Sequence, residues 1–418
     1  MKGHGIVRMV GIWCAAALLP CLFACASPAS DARDLPASAE AAWTEAETPA
    51  PTIAPALTTA PPTPSPSPYV PETLTVRFVG DIMVSRAMTD GAEQPGGTFD
   101  FNPVWSRIRG EFSGADLVIG NLETPVAGYE NGKFTGFPRF NAPDEYLDAI
   151  KNAGVNVLTN ANNHLLDRGV EGALTTVEKI RARGFYHTGV YASPDEERIL
   201  IIPVRGVKVA LLAYSYRQAD KEKPKDKEAM AWLTNFNDPE QMADDIFRAR
   251  EMGADVVLVF THMGKEGTYE PSRFVVGMAE HLANSGADAA IFCHSHAVQP
   301  FNRIHTADGR DVFVAYALGN FLCDGKYTMS RSGMILELPI TFDRERHAVE
   351  IHDVCYVPTY SHGEPADYGK EFTLYAAGVA MDDETLPSKT RNLARISYET
   401  VLSVVGEEYA LAVRSFAE

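Results

Sequence analysis

The sequence predicts an α/β fold in which many of the strands pair in parallel. Apolar runs of strand length recur from residue 73 onward, and stretches with helical spacing of apolar residues separate many of them. Strands that alternate with helices in this way are typical of parallel sheets joined by helical crossovers. A hairpin and several late strands, which no helix separates, predict additional antiparallel sheet.

The predicted strands are rich in Val, Ile, Leu and Phe, and most are apolar throughout, which is typical of strands covered on both faces. The first strand alternates polar and apolar residues before it becomes fully apolar. Arg205-Gly206 predicts a turn, and therefore a hairpin, between two adjacent strands. The strands cover residues 73–79, 116–119, 155–158, 199–202, 207–213, 256–260, 289–292, 312–318, 334–342 and 349–357.

The predicted helices have apolar residues at helical spacing, and most of them lie between predicted strands. Gly154 follows the first helix, at a position where glycine commonly ends one, and Gly169 begins the second. The helices cover residues 142–153, 169–181, 241–251, 272–285 and 392–405.

Composition limits the possible partners. The 418 residues suffice for one large domain or two ordinary domains with appendages. A content of 45% hydrophobic and 22% charged residues is typical of a globular protein with a core. The net charge of −18 argues against a nucleic-acid partner, which requires a basic surface. An anionic substrate must therefore meet local positive charge, and a bound metal ion could supply it.

The amino terminus has the pattern of an export signal. Lys2 and Arg8 precede an apolar run over residues 9–26. Leu22-Phe23-Ala24-Cys25 is similar to a bacterial lipobox and predicts lipidation of Cys25, with a signal over residues 1–25. Cleavage near residues 24–26 without lipid and an uncleaved membrane anchor are the alternatives. All three place the rest of the chain outside the cytoplasm, and two attach it to the membrane.

Residues 26–72 are rich in Ala, Pro, Thr and Ser, which predicts a disordered tether. No later segment has the character of a transmembrane helix. Cys293, Cys323 and Cys355 lie far apart in the folded part and form no disulfide framework. We expect buried thiols, with one disulfide as the alternative.

Residues 216–238 are polar and charged, and four lysines occupy alternate positions within them. The pattern favours a solvated excursion. The alternative is a mobile lid whose lysines contact an anionic substrate. The lysines are Lys221, Lys223, Lys225 and Lys227.

Polar side chains that can bind a metal ion occur where five of the predicted strands end. Because the carboxyl ends of neighbouring strands meet at one edge of a sheet, we expect these side chains to share one pocket. The alternate positions of two histidines after one strand place both imidazoles on the same side. The side chains are those of Asp81, Glu123, Asn163 with His164, His262, and His294 with His296.

Two carboxylates, an amide oxygen and several imidazoles suit Mn²⁺, Fe or Zn²⁺ better than Mg²⁺ or Ca²⁺. They are numerous enough for one ion, or for two ions that share a carboxylate. Each residue also has an ordinary structural explanation: Asp81 as a helix cap, Glu123 as a turn residue, His262 as a hydrogen-bonded polar residue. Recurrence at five strand ends favours a single metal site.

Six motifs follow one another within residues 74–324. They are Phe78-Val79-Gly80-Asp81-Ile82-Met83, Gly120-Asn121-Leu122-Glu123, Asn160-Ala161-Asn162-Asn163-His164 with Asp167 and Gly169, His262-Met263-Gly264-Lys265-Glu266, Cys293-His294-Ser295-His296 with Val298-Gln299-Pro300, and Tyr316-Ala317-Leu318-Gly319-Asn320-Phe321. In this order the motifs resemble those of CapA/PgsA-type proteins. These are membrane-associated, extracytoplasmic proteins linked to the synthesis or export of poly-γ-glutamate and capsule, within the calcineurin-like metallophosphoesterase superfamily. The resemblance implies a four-layer α/β/β/α sandwich over residues 73–362. The sequence beyond it predicts a partly helical extension over residues 363–418.

The resemblance also implies a role for each matching residue. A first metal ion is held by Asp81 and His296, a second by Asn163, His262 and His294, and Glu123 occupies the place of a bridging carboxylate. His164 is implied as the acid that protonates the leaving group, and Asp167 and Glu266 as residues that orient ligands.

Two positions depart from the superfamily pattern. Met83 stands where superfamily phosphoesterases usually have a histidine ligand, as it often does in CapA-type proteins, so the first site lacks one ligand. Cys293 stands where a glycine usually precedes the His-x-His motif, which crowds the backbone or adds a thiolate.

Two functions follow as hypotheses. The first is a metal-dependent hydrolase, most simply a phosphoesterase, that acts on an anionic envelope polymer or another phosphoester at the cell surface. The second is a non-catalytic subunit that uses the same metal site to bind an anionic polymer for a synthase or exporter. Met83 favours the second, and the intact Asn163-His164 pair favours the first. The sequence contains no serine-hydrolase elbow, P-loop or dinucleotide-binding fingerprint.

Overall fold

The computed structural model describes residues 71–216, 227–363 and 372–417. The predicted signal with Cys25, the predicted tether up to residue 70, and three of the four lysines of the charged excursion lie outside these residues. In the part that is described, no helix is both long and apolar enough to cross a membrane.

The strands of the described residues are mostly longer than predicted. They are β1 (Glu72–Ile82), β2 (Leu117–Leu122), β3 (Val157–Thr159), β4 (Tyr186–Thr188), β5 (Leu200–Val204), β6 (Val207–Ser215), β7 (Val256–His262), β8 (Ala289–Cys293), β9 (Val298–His305), β10 (Asp311–Leu318), β11 (Asn320–Leu322), β12 (Ser332–Asp343), β13 (Ala348–Ile351), β14 (Cys355–His362), β15 (Thr373–Ala376) and β16 (Leu411–Ala412).

The α-helices include all five that the sequence predicts, with shifts of a few residues at their ends. They are α1 (Arg86–Ala92), α2 (Asn102–Trp105), α3 (Glu145–Ala153), α4 (Gly169–Ala182), α5 (Pro239–Glu251), α6 (Arg273–Asn284), α7 (Thr328–Arg331), α8 (Ala377–Ala380) and α9 (Ser388–Val405). Gly154 ends α3 in the left-handed conformation, as its position predicts.

The strands form two sheets. The first has the order β15-β14-β12-β1-β2-β3-β4, with β11 beside β1, β13 beside β12 and β16 beside β14. Its β1-β2-β3-β4 half is parallel, and β12, β14 and β15 run antiparallel to their neighbours. The second has the order β5-β6-β7-β8-β10-β9, with a parallel centre and antiparallel edge strands.

The two sheets pack face to face, because their strands bury opposite faces in different cores. In β6, Val209 and Leu211 face the core between the sheets, and Ala210 and Leu212 face the core under α5 and α6. The first sheet packs its other face against α1, α2 and α3. The layers are therefore α/β/β/α, and the predicted fold class is confirmed.

One predicted strand is wrong in detail. The sequence predicts a single strand over residues 349–357, but β13 and β14 are separate. Glu337 and Ile340 of β12 are three residues apart in the sequence. Their pairing partners, Cys355 and Ile351, are four residues apart. The segment between β13 and β14 therefore has one residue more than the stretch of β12 that it faces, and the pairing is interrupted there. The periodicity of the sequence does not reveal this interruption, because both flanking segments pair with the same strand.

The cysteines of the described residues are free. Cys293 is buried, and Cys323 and Cys355 are partly buried. The alternative of one disulfide is therefore not realised among them.

Candidate metal centre

The six candidate ligands come from two sheets and meet at one edge. Asp81 lies in β1, Glu123 directly follows β2, and Asn163 lies in the loop after β3. From the second sheet, His262 is the last residue of β7, and His294 and His296 follow β8. The sequence pattern predicted that all of them lie at the edge of a single sheet. That placement is wrong, because the parallel halves of both sheets end at the same side of the molecule.

A bulge in β1 directs Asp81 into the site. Val79 pairs with Gly120 and Asp81 pairs with Asn121, so two residues of β1 oppose one of β2. Bulges of this kind turn a side chain out of the regular alternation. A Cβ atom at Gly80 would lie 1.9 Å from the carbonyl oxygen of Gly319, so only glycine fits there. The sequence motif around Asp81 therefore encodes backbone geometry as well as a carboxylate.

His294 and His296 reach the site through an unusual loop conformation. Their φ angles are +94° and +53°, in the left-handed region that non-glycine residues rarely adopt. Each such residue costs about 1–3 kcal/mol and persists only where the surrounding structure fixes it. The predicted reason for their shared orientation, alternation along a strand, is wrong, because β8 ends at Cys293.

One group of potential ligands surrounds the Nε2 atom of His262. Asn163 Oδ1 and His294 Nδ1 each lie 3.1 Å from this atom, and Glu123 Oε1 lies 3.3 Å from it. One ring nitrogen can make a single hydrogen bond along its lone pair or N–H direction. Three neighbours at this distance are therefore arranged as ligands converging on a common centre.

A second group contains Asp81, Glu123 and His296. His296 Nδ1 lies 3.5 Å from Asp81 Oδ2, and His296 Nε2 lies 3.9 Å from Glu123 Oε1. Glu123 belongs to both groups, which is the place of a shared carboxylate. The two sets that the resemblance implies are thus the two sets that lie together.

Burial and charge indicate that this cluster fits a cation. Glu123 is 0% exposed, and neither of its carboxylate oxygens has a hydrogen-bond partner among the described residues. Burial, reinforced by the charge of Asp81, raises the pKa of Glu123 to about 8. Burial likewise lowers the pKa of His262 and of His294 to about 3, which keeps both rings neutral and able to bind metal.

Asp81 and His296, which lie side by side, carry opposite charges. Burial raises the pKa of Asp81, but the neighbouring His296 cation and the hydrogen bond from Asn121 outweigh burial and hold that pKa well below its usual value. Burial lowers the pKa of His296, but the carboxylates of Glu123 and Asp81 raise it to about 10. A proton on His296 thus compensates the carboxylates where a metal ion could do so.

His164 lies beside the ligand groups rather than within them. Its Nδ1 is 2.7 Å from Asp167 Oδ2, and its Nε2 is 4.0 Å from Glu123 Oε1. The backbone N–H of Phe140 donates to the same Asp167 oxygen at 2.8 Å. Asp167 therefore orients His164, a contact that the sequence did not predict.

Glu266 has a weaker connection with the site. Its side chain is 60% exposed, and Oε1 lies 3.8 Å from His294 Nε2, which exceeds a hydrogen bond. The carboxylate is close enough to join His294 and His296 as a third potential ligand group. It does not fix the orientation of either ring.

Comparison with known proteins identifies the family. The model of the family described as Bacterial capsule synthesis protein PGA_cap matches residues 75–325. The chain belongs to this family. A Capsule biosynthesis protein CapA of Bacillus anthracis is 28% identical over 278 residues, 64% of this chain and 64% of that protein. The PGA biosynthesis protein CapA of Bacillus subtilis is 28% identical over 304 residues, 69% of this chain and 75% of that protein.

A solved structure, that of calcineurin-like phosphoesterase YfkN from Bacillus subtilis, is also similar. It has a TM-score of 0.42 and 14% sequence identity, and the alignment covers 80% of this chain and 99% of that chain. The assignment of the α/β/β/α fold rests on the two sheets and their cores, since a TM-score this low does not establish a common fold.

Two asparagines of this capsule synthesis family member contact the candidate ligands, although the sequence analysis gave them no role. Asn320 Oδ1 lies 2.9 Å from His296 Nδ1, and its Nδ2 donates to the carbonyl of Ser330 at 2.7 Å. Asn121 Nδ2 donates to Asp81 Oδ1 at 2.8 Å. Both residues belong to motifs that the resemblance singled out, and that membership was the available signal.

Met83 and Cys293, the two departures from the superfamily pattern, are both buried. Met83 is buried directly after β1, so the missing histidine leaves no polar group there. Cys293 Sγ lies 3.2 Å from His262 Nδ1, and burial holds the pKa of the thiol well above its usual value. Cys293 is thus a neutral partner of a candidate ligand in the absence of metal.

Proposed function

We propose that this protein is a metal-dependent hydrolase of phosphoester type that acts on the envelope polymer of a bacterial capsule. The position of His164 carries the proposal. Its Nδ1 is held by Asp167 at 2.7 Å, and its Nε2 lies 4.0 Å from the carboxylate of Glu123 in the metal-competent cluster. A purely structural or metal-storing cluster has no need for an imidazole fixed at one nitrogen and directed at the cluster with the other.

The donor set favours Mn²⁺, Fe or Zn²⁺, in one or two sites. Asp81, Glu123 and His296 would hold one ion, and Glu123, Asn163, His262 and His294 a second. When bound, a divalent ion supplies Lewis-acid charge to the reacting group and favours ionisation of the attacking water.

The chain's own residues then perform three tasks. Asp167 accepts a hydrogen bond from the Nδ1–H group of His164. The other ring nitrogen, Nε2, is therefore the one that can give a proton to the departing oxygen. The ring of Phe140 packs edge-on against His164, with ring centroids 4.6 Å apart, and shields it from water. The left-handed loop after β8 and the bulge in β1 fix the remaining groups before substrate arrives.

The family and the predicted amino terminus support the setting of this reaction. We propose that residues 1–25 export the chain and attach it to the cell membrane, that residues 26–72 hold the domain away from it, and that the catalytic domain spans residues 73–362. The partners we propose are an anionic envelope polymer and the subunits that synthesise or export it. The Bacillus subtilis relative is named a PGA biosynthesis protein, which is consistent with such a polymer.

The direct test is hydrolysis of bis(p-nitrophenyl) phosphate by the exported chain after loading with Mn²⁺. We expect turnover by the wild type, and for His164→Ala a rate about 10²–10⁴-fold lower with unchanged Mn²⁺ content, because general acid catalysis contributes about that much. Loss of Mn²⁺ from His164→Ala would contradict the role of this histidine as an acid rather than a ligand.

A second candidate function is metal-assisted binding of the polymer without catalysis, and Met83 favours it because it replaces one ligand of the first site. Mn²⁺-dependent polymer binding by a wild type that turns over no phosphoester would select this function. Restoring the ligand in Met83→His should then create activity.

A further inference from the structure

A hairpin at the edge of the metal centre has no explanation in the proposed reaction. It comprises residues 133–141 and is closed by two backbone hydrogen bonds between Thr135 and Asn141, of 3.0 and 2.9 Å. We refer to it as the 133–141 hairpin. It lies between β2, which leads to Glu123, and α3. Its last aromatic residue, Phe140, contacts the ring of His164.

The hairpin is attached to the residues that carry the proposed acid. The N–H of Phe140 donates to the Asp167 oxygen that also contacts His164. Arg168 Nε donates to the carbonyl of Phe140 at 3.1 Å, and Nη2 donates to the carbonyls of Lys133 and Arg139 at 3.2 and 3.0 Å. The position of the hairpin is therefore coupled to that of His164.

The opposite side of the hairpin is fixed as well. A Cβ atom at Gly136 would lie 2.7 Å from the backbone nitrogen of Arg86, so the chain packs directly against the start of α1. Arg86 Nη1 donates to the carbonyl of Phe134 at 3.0 Å. At the base, the buried side chain of Asn141 donates to the carbonyls of Gly128 and Gly132. The hairpin thus holds its shape without a ligand.

The tip that this framework presents is apolar and cationic. Phe137 is 82% exposed, which is the largest value for a large apolar side chain among the described residues. Lys133 and Arg139 are exposed, and neither forms an ion pair with another described residue. Exposed side chains of this kind on a rigid support are typical of recognition rather than stability.

We propose that the 133–141 hairpin selects the substrate of the metal centre, and that Phe137, Arg139 and Lys133 bind the polymer segment that flanks the reacting group. The ligand chemistry is that of a linear polyanion with an apolar backbone face. The two cations bind its acidic groups, and the phenyl ring packs on the chain between them. This inference rests on the proposed function, because it assumes that the polymer reaches His164. It matters in a protein whose net charge of −18 repels polyanions elsewhere.

The test is equilibrium binding measured by fluorescence anisotropy, with the full chain loaded with Mn²⁺. One arm uses a fluorescein-labelled poly-γ-glutamate oligomer, and the other a labelled poly(glycerol phosphate) oligomer of equal charge. The arm that binds more tightly identifies the acidic group, carboxylate or phosphodiester. Arg139→Ala should weaken binding about tenfold, or by about 1.4 kcal/mol, because it removes a charge-assisted hydrogen bond. Phe137→Ala should weaken it severalfold, and Lys133→Ala/Arg139→Ala more than either.

Control variants remove exposed residues of the same types on other parts of the molecule. Phe247→Ala on α5 removes a phenyl ring that is 62% exposed, and Arg346→Ala removes a cation between β12 and β13 that is 78% exposed. Both should bind the oligomers as the wild type does. The melting temperature of each variant checks its fold.

The outcomes separate this inference from the proposed function. Loss of oligomer binding in the hairpin variants, with no phosphoester turnover by any protein, supports the hairpin and rejects the hydrolase. Wild-type binding by Phe137→Ala and by Lys133→Ala/Arg139→Ala overturns the inference. Failure of the wild type to bind either oligomer overturns it too.

Discussion

Two polar regions at opposite ends of the second sheet differ in how their charges are satisfied. The metal centre lies at the carboxyl ends of β7 and β8. A polar cleft, with a volume of about 970 Å³, lies at their amino ends. In that cleft Arg250 pairs with Asp288 at 2.7 Å, and Arg310 pairs with Asp308 at 2.8 Å. Its volume and its charged lining make this cleft a second candidate for a functional site.

The hydrogen bonds made by buried polar groups favour the metal centre as the functional site. Asp288 accepts hydrogen bonds from Arg250 and from the backbone N–H of Val257. Arg310 donates to the backbone carbonyls of Ala283 and Ala287. In the metal centre, by contrast, the carboxylate of Glu123 has no hydrogen-bond partner among the described residues. A buried polar group without a hydrogen bond is costly, so the carboxyl oxygens of Glu123 indicate a ligand more strongly than a cavity does.

The largest effect is expected for Glu123→Gln, which tests whether the carboxylate of Glu123 binds metal. Removal of an orienting partner costs about 10–100-fold in metal affinity, so removal of a carboxylate shared by both ligand groups should cost more than about 100-fold. Without metal the variant should be more stable than the wild type above about pH 5, because burial raises the pKa of Glu123 to about 8 and a neutral amide has no ionisation to suppress. Calorimetric titration with Mn²⁺ and urea unfolding measure the two effects. Wild-type affinity in Glu123→Gln would show that the comparison is mistaken.

Metal itself should stabilise the folded chain through the same cluster. At a free Mn²⁺ concentration of about 100 times Kd, the free energy of unfolding should rise by about 2.7 kcal/mol. Denaturant unfolding with and without a chelator measures this difference. The increase should be absent in Glu123→Gln, and an equal increase in that variant would place the ion elsewhere.

Asp288→Asn, in the cleft at the other end of the sheet, should lower the stability of the fold and leave the Mn²⁺ affinity unchanged. It weakens a charge-assisted hydrogen bond with Arg250, so the free energy of unfolding should fall by about 2 kcal/mol. Its affinity for Mn²⁺ in the calorimetric titration should equal that of the wild type. A loss of Mn²⁺ binding would mean that the two ends are coupled and that the cleft also serves the site.

The smallest effect is expected for Glu266→Gln, at the exposed edge of the metal centre. The carboxylate is largely exposed and 3.8 Å from His294 Nε2, and exposed pairs of this kind contribute less than about 1 kcal/mol. The Mn²⁺ affinity should change less than about fivefold. A change as large as that of Glu123→Gln would make Glu266 a ligand when metal is bound.

The sequence predicted the strands around the site well, because strands buried on both faces are apolar throughout. Val256 to Phe260 illustrates this, since alternate residues face different cores and none is polar. It did not predict the short strands β3 and β4 with equal success: β3 was found with shifted ends, and β4, with the exposed Tyr186, was missed. Their pairing is decided by neighbours rather than by their own residues.

The positioning contacts were least predictable. Asn320 is separated from His296 by 24 residues and reaches it only because β11 pairs with β1 beside Asp81. Likewise, the contact of Phe140 with His164 depends on Arg168, which contacts three carbonyls of the hairpin. No spacing in the sequence specifies such contacts.

The residue types and their order alone determined the α/β class, the approximate positions of the strands near the site, and the identity of the carboxylates and imidazoles gathered there. Local chemistry suffices for these, because apolar runs form strands and donor atoms are fixed by side-chain type. Only the tertiary structure decided that two sheets share the site, that Glu123 joins both ligand groups, and that Asp167 holds His164. These depend on the packing of segments far apart in the chain, which sets distances of a few ångströms that no single segment determines.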